Sequence, residues 1–209
     1  MNRQKRNFDS EAQAWDKPGR INLANDIATA LMEEVRVDPS TAVLDFGCGT
    51  GLLSLRLQPF VRCITCVDSS SGMLEVLRGK GEGKGLTNIV IKHVDLDAGD
   101  TLEGRFDLVT SSMTLHHIAE IGPLLKMFYL ITNPGGHLCI ADLDPDGGRF
   151  HASSEGVFHN GIDRDALHRM FVDAGYGYIK ASTAAEMAKV GPDGETRRFT
   201  IFLMSGRKQ

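Results

Sequence analysis

No apolar run in this chain approaches the ~20 consecutive residues that a membrane-spanning helix needs. The opening MNRQKRNFDSEAQ is polar and mixed in charge, unlike a secretion signal, so a cytoplasmic location is the expectation. An excess of one charge is lacking too. The 23 basic and 27 acidic side chains leave a formal net charge of −4, which gives no overall pull toward nucleic acid or anionic lipid. No nucleic-acid or membrane partner is therefore expected. Cysteine is sparse: Cys48, Cys63, Cys66 and Cys139 all sit in apolar segments, where reduced thiols fit an intracellular chain better than bridges. Cys63 and Cys66 do form a C-x-x-C. RCITCVD reads as a strand, however, so residues three apart point to opposite faces and could hardly share a metal or a disulfide. Repeats and low-complexity tracts are also missing.

What is present is the texture of one folded domain spanning residues 1–209. A chain of that length buries roughly 70% of its unfolded surface without staples. INLANDIATALMEEV (residues 21–35) places Ile21, Ala24, Ile27, Leu31 and Val35 at helical spacing. From Thr41 onward, short apolar runs alternate with helical stretches. TAVLDFG, CITCVD, NIVIKHVD, FDLVTSS and GGHLCIAD read as strands, with GLLSLRLQPF, SSGMLEVLRGK and IGPLLKMFYLI as helices between them. Such alternation implies a parallel sheet covered on both faces. GKGEGKG (79–85) reads as a flexible connection, and residues 143–162 as a loop-like insertion that caps the domain. DRDALHRMFVDAG follows as a helix, with Asp163 as N-cap and Gly175 as stop. Two closing strands, YGYIKAST and TRRFTIFLMSG, are separated by AAEMAKVGPDGE, whose PDG marks a turn.

The first strand runs into a glycine loop, LDFGCGTGLLSL (44–55), which also stands out by what it lacks. A dinucleotide fingerprint would need a third glycine where Leu52 stands, and the lysine and Ser/Thr of a phosphate-binding loop are missing. Strand, glycine loop and helix start in that order still put backbone amides at the carboxyl edge of the sheet, where open α/β folds bind ligands. Cys48 is expected to offer backbone alone. Asp68 ends the next strand about 20 residues downstream, where a carboxylate can accept from both ribose hydroxyls. Asp95 closes the third strand, where it can accept from an exocyclic amino group. The ligand these features describe is an adenosine compound held without phosphate-specific groups.

With these residues the sequence resembles the class I S-adenosylmethionine-dependent methyltransferases, in particular their small-molecule branch. VLDFGCGTGLLSL looks like the first motif of that family, VDSSSGML the second, VDLD the third, FDLVTSSMTLHHI the fourth and NPGGHLCIAD the fifth. The resemblance implies a Rossmann-like seven-stranded sheet of order 3-2-1-4-5-7-6 with strand 7 antiparallel and helices on both faces. It implies S-adenosyl-L-methionine as cofactor and S-adenosyl-L-homocysteine as product. By the same resemblance, Asp45 and the backbone of Gly47, Cys48, Gly49, Thr50 and Gly51 would hold the methionyl end, and Asp68 the ribose. Ser69 or Met73 would flank the adenine, with Asp95 and Leu96 at its other edge, and Ser111 and Ser112 would line the cofactor. Residues 1–40 would form a helical segment that closes over the site.

The acceptor side is thinner. His116 and His117 follow the fourth strand, and a histidine there could take a proton from a hydroxyl or amine nucleophile; the other reading is a packing or loop-fixing role. On a helical turn their side chains diverge by ~100°, so only one should face the pocket. Adjacent histidines do not suit one metal ion, and no regular spacing joins them to His151 or His159, so no metal is expected. Trp15 either lids the site or anchors its segment to the core. Tyr176 and Lys180 form a Y-x-x-x-K, but on a strand they would stand about 13 Å apart, too far to act as a pair. The activity expected is in-line methyl transfer to a small-molecule acceptor. A protein acceptor, or a catalytically silent cofactor-binding module, remains as the alternative, and the oligomeric state is left open.

Overall fold

The computed structural model describes residues 6–151, 153–190 and 194–209. Its seven strands are β1 (Ala42–Phe46), β2 (Cys63–Asp68), β3 (Ile89–His93), β4 (Phe106–Ser112), β5 (Thr132–Leu143), β6 (Tyr176–Val190) and β7 (Thr196–Lys208). They form one sheet in the order β3-β2-β1-β4-β5-β7-β6, with β7 antiparallel to both neighbours and the other pairings parallel. This is the Rossmann-like arrangement expected from the sequence.

Five α-helices accompany the sheet: α1 (Pro18–Glu34), α2 (Ser54–Leu57), α3 (Ser71–Gly83), α4 (Ile121–Ile131) and α5 (Arg164–Ala174). Adjacent strand residues feed opposite cores, as the two-residue period of a pleated strand requires. Val43 and Leu203 pack with Ile27 and Leu31 of α1 and Leu77 of α3. Leu44 and Met204 pack with Phe128 of α4 and Phe171 of α5 on the other face. Helix α5 begins and ends as read: Asp163 accepts the Ala166 amide at 2.8 Å, and Gly175 takes φ +105°.

Three local readings change. GKGEGKG is not a loop through most of its length, because α3 continues through Gly79 and Gly81 to Gly83 before the chain turns. The stretch AAEMAKV is strand. Although Ala, Glu, Met and Lys favour helix, pairing from Ala185–Ile201 to Val190–Thr196 along the length of β7 overrides that preference. Of the proposed PDG turn, Pro192 and Asp193 lie outside the described residues. GLLSLRLQPF supplies only a short α2 and a 3-10 turn, Gln58–Phe60, at Pro59. Ahead of α1, Asp9–Ala14 forms a 3-10 turn that packs on the start of α3. Among the described residues no helix is long and apolar enough to cross a membrane.

Candidate active site

The parallel strands bring the loops after β1, β2, β3, β4 and β5 to one edge. The first loop is held largely by its own amides. Those of Gly47 and Cys48 donate to Val67 O at 2.8 and 3.1 Å, and Gly51 N donates to Cys48 O at 2.9 Å. With Gly49 N, which donates to Asp68 Oδ2 at 2.8 Å, four of the five amides expected to receive a ligand are spent on the protein itself, which leaves that of Thr50. Gly47 and Gly49 need to be glycine for different reasons. At Gly47, φ is +70° and a Cβ would stand 2.3 Å from Thr114 Cγ2; at Gly49, φ is +53° and the nearest atom to a Cβ is Trp15 Nε1 at 4.0 Å. The first glycine serves packing against β4's exit, whereas the second keeps a surface open toward Trp15.

Asp45 is buried under this loop and accepts from Ser54 Oγ. Burial pushes its carboxyl up to about 7, the charge of Asp68 adding to the effect and the Ser54 bond opposing it. Its place is beneath the site, so it can reach a ligand only through the loop it supports. Asp68, at the end of β2, accepts from Gly49 N and Ser70 N, both at 2.8 Å. Burial raises its pKa, while these amides pull it back. Each oxygen keeps a second lone pair, the chemistry a ribose diol requires.

The other expected cofactor contacts differ in exposure. Ser69 is exposed, and its carbonyl meets His93 Nε2 at 3.0 Å; Met73 is interior at 1% exposure. Asp95 caps the 3-10 turn Leu96–Ala98 by accepting Asp97 N at 3.1 Å, with Leu96 half-buried beside it. Ser111 departs from expectation: it is fully buried and donates to Phe46 O at 2.9 Å, tying β4 to β1 where it was expected to line the site. Ser112, half-buried at the strand end, remains at the edge. Just beyond it Met113 holds φ +54°, a left-handed conformation rare for a side-chain-bearing residue and one that turns the chain toward the histidines.

Here the structure adds what was not legible. His116 is buried with Nδ1 2.6 Å from Asp142 Oδ1, at the carboxyl end of β5. Burial works upward on Asp142, but the charge and hydrogen bonds of His116 and the Leu143 amide outweigh it and hold the carboxyl below its usual range. An ionised Asp142 can only accept, so His116 carries its hydrogen on Nδ1 and turns Nε2 outward. His117 makes a similar bond, Nδ1 to Gly156 O at 2.6 Å. His151 from the 143–162 segment lies against both, with ring centroids 4.8 and 5.7 Å from His116 and His117. Burial, and then the charge of His116, lower His117 and His151 to about 4, so both are neutral at neutral pH. The expectation that only one of the paired histidines faces the pocket is replaced by a three-membered cluster. Among the described residues no group of three or more side chains is arranged to hold a metal ion.

The N-terminal segment closes this edge. Asp9 accepts from Ser70 Oγ at 2.6 Å and Gly72 N at 2.8 Å; Asp16 accepts from Thr50 Oγ1 and pairs with Lys80. Between these latches, Phe8 stands edge-on to Trp15 at 5.8 Å and to His117 at 5.1 Å. Trp15 thus belongs to the cover over Gly49. Asp142 shared the strand-end signal of Asp68 and Asp95 and could have been read from CIADLD. Nothing in the local sequence marks His151 or Asp16.

Comparison with known proteins agrees with this geometry. Residues 43–136 match the methyltransferase domain. An uncharacterized methyltransferase of Schizosaccharomyces pombe is 31% identical over 134 residues, 57% of this chain and 47% of that protein. A ubiquinone biosynthesis O-methyltransferase of Coxiella burnetii is 28% identical over 141 residues, 66% of this chain and 60% of that protein. The chain therefore spans about half to three fifths of the length of these relatives. Haemonchus contortus phosphoethanolamine N-methyltransferase 2, solved in complex with S-adenosyl-L-methionine, shares the fold with a TM-score of 0.70 at 16% identity, over 88% of this chain and 52% of that one. By matched domain, relatives and sheet order together, the chain is similar to the class I S-adenosylmethionine-dependent methyltransferases.

Proposed function

We propose that this protein binds S-adenosylmethionine between the glycine loop and Asp68 and catalyses in-line transfer of its methyl group to a small-molecule acceptor, with His116 taking the acceptor's proton. When bound, the cofactor supplies an electrophilic methyl: the acceptor's lone pair forms the new bond to carbon while the sulfur–carbon pair stays on sulfur, leaving S-adenosylhomocysteine.

The chain's residues then have distinct tasks. Asp68 accepts from the ribose hydroxyls, Asp95 from the adenine amino group, and Thr50 presents its backbone amide to the methionyl end, while Gly49, without a Cβ, allows the ligand's close approach. Residues 1–40, through Phe8, Trp15 and Asp16, exclude water, and residues 143–162 wall the acceptor side. The single observation that carries the acid–base role is the bond between Asp142 and His116 at the edge shared with the glycine loop. It fixes the hydrogen on Nδ1, so that Nε2 is the ring atom that would take the acceptor's proton. His117 and His151, kept neutral, do not compete with it by charge.

A screen of small phenols, amines, thiols and acids with a labelled methyl donor tests the reading. Transfer to at least one class is expected, with His116→Ala losing turnover and the acid limb of its pH profile. Turnover by that variant equal to wild type at every pH would return His116 to a packing role. Calorimetric titration should show micromolar binding of S-adenosylmethionine and none of NAD; the reverse would overturn the proposal, and binding without transfer to any acceptor would favour a silent module.

A further inference from the structure

A continuous belt of rings crosses the acceptor side: Phe150, His151, His116, His117, Phe8 and Trp15, with successive centroids 4.2 to 5.8 Å apart. Three cations lie on it. Lys189 Nζ is 3.7 Å from the Phe150 centroid, Arg6 Cζ 5.1 Å from that of Phe8, and Arg20 Cζ 3.6 Å from that of Trp15. Two of these cations come from the first twenty residues, ahead of and within α1, and the third from the stretch of β6 that the sequence places between two strands.

Among the described residues only Arg6 of the three is paired with a carboxylate, while Arg20 donates to Trp15 O at 3.0 Å and Lys189 to Phe150 O at 2.9 Å. Arg6 is neutralised by Glu11 through two 2.7 Å bonds. Arg20 and Lys189 are half-buried, and neither enters an ion pair among the described residues. The carboxylates nearby are committed elsewhere: Asp142 to His116, Asp16 to Thr50 and Lys80, and Asp146 to the amides of Gly148 and Phe150. Burial lowers the pKa of both cations; at Arg20 the charges of Glu11 and Asp16 oppose this and that of Arg6 adds to it, and at Lys189 the charges of Arg20 and Arg6 add to it and that of Asp146 opposes it. Within the belt, His151 Nε2 is buried without a hydrogen-bond partner among the described residues. A buried ring nitrogen without a partner, beside converging cations, describes a seat for an anion that hydrogen-bonds as well as neutralises.

We propose that the methyl acceptor carries a fixed anionic group, a carboxylate or a phosphate, received by Lys189 and Arg20 with a hydrogen bond from His151 Nε2. This rests on the methyl-transfer reading for its reaction and adds the charge class of the substrate. Holding the acceptor by an anion on the cap side would leave its nucleophilic atom free to meet His116.

The test uses wild type, Lys189→Met and Lys189→Arg, each saturated with S-adenosylhomocysteine so that the cofactor's own carboxylate is already accommodated. Inorganic phosphate and benzoate are titrated at constant ionic strength against chloride, with benzamide as the neutral counterpart of benzoate. At least one anion should bind wild type, bind Lys189→Met ~10-fold or more weakly, and recover in Lys189→Arg. Phosphate binding alone assigns a phosphate acceptor, and benzoate binding alone a carboxylate. Neither anion exceeding the chloride control, binding undiminished in Lys189→Met, or benzamide binding as well as benzoate would overturn the proposal. The S-adenosylhomocysteine titration of the same proteins reports separately on the methyltransferase reading: its loss with anion binding retained would sink that reading and not this site.

Discussion

The carboxyl edge of the sheet has two sides built in opposite ways. On the proposed cofactor side, the groups assigned to the ligand come from successive strand ends, β1, β2 and β3, within residues 45–96, and each is fixed by backbone a few residues or one strand away: Asp68 by Gly49 and Ser70, Asp95 by its own turn. On the acceptor side, Phe8, His116, Asp142 and His151 come from four separate segments and are fixed by one another. The first side is a property of strand order. The second exists only once residues more than a hundred positions apart have packed together. A substitution on the cofactor side should act on affinity and leave its surroundings intact, whereas one on the acceptor side should act on turnover through its partners.

The widest separation between the two should come from Asp142→Asn. Removing the anionic partner of His116 frees the imidazole to take the wrong tautomer, so turnover should fall ~10²- to 10⁴-fold. Affinity for S-adenosylhomocysteine, measured by calorimetry, should stay near wild type. Equal losses in both would erase the distinction.

Next in size, Gly47→Ala should cost ~2–4 kcal/mol in urea unfolding, from its positive φ and the collision with Thr114. Gly49→Ala, which meets only its own backbone strain, should cost ~1 kcal/mol. Similar values for the two would mean that Gly49 is also a packing residue and not a surface kept open.

Asp68→Ala should weaken cofactor binding by ~1–3 kcal/mol with little change in the pH profile of turnover. Unchanged affinity would remove Asp68 from the cofactor side altogether. The remaining prediction concerns Asp45. Its carboxyl is raised by burial from 3.8 to about 7, so the folded protein binds a proton that the unfolded chain releases. The associated stability is complete below the unfolded value and is lost as pH rises through about 7. Thermal midpoints of wild type should therefore fall relative to Asp45→Asn between about pH 4 and 7. Parallel profiles would show an ionised carboxyl throughout, and with it a direct role at the ligand.

How much could be read in advance follows the same division. The places of Asp68 and Asp95 at the carboxyl edge were legible because a strand end carries its own signal: an apolar run closes on an acid before the next turn begins. Asp142 closes β5 in the same manner, yet in isolation it reads as the start of a loop, since its partner His116 lies 26 positions earlier. Ser111 was misjudged because strand periodicity gives a side chain's face but not what covers it; here the Phe46 carbonyl does. AAEMAKV read as non-strand because residue preference favours helix, and only the long reach of β7 makes it the strand that carries Lys189.

By itself the sequence determined the alternation of strands and helices, the glycine loop without a phosphate-binding lysine, and the strand-end acids, because each is a matter of local period and spacing. Only the tertiary structure decided that His116, His151 and Asp142 meet, that Phe8 and Trp15 cover Gly49, and that three cations converge on one aromatic belt. Those neighbours come from different strand exits and from the N-terminal segment. Their approach is set by the crossing of parallel strands and by burial on both faces of the sheet, which no local window of residues encodes.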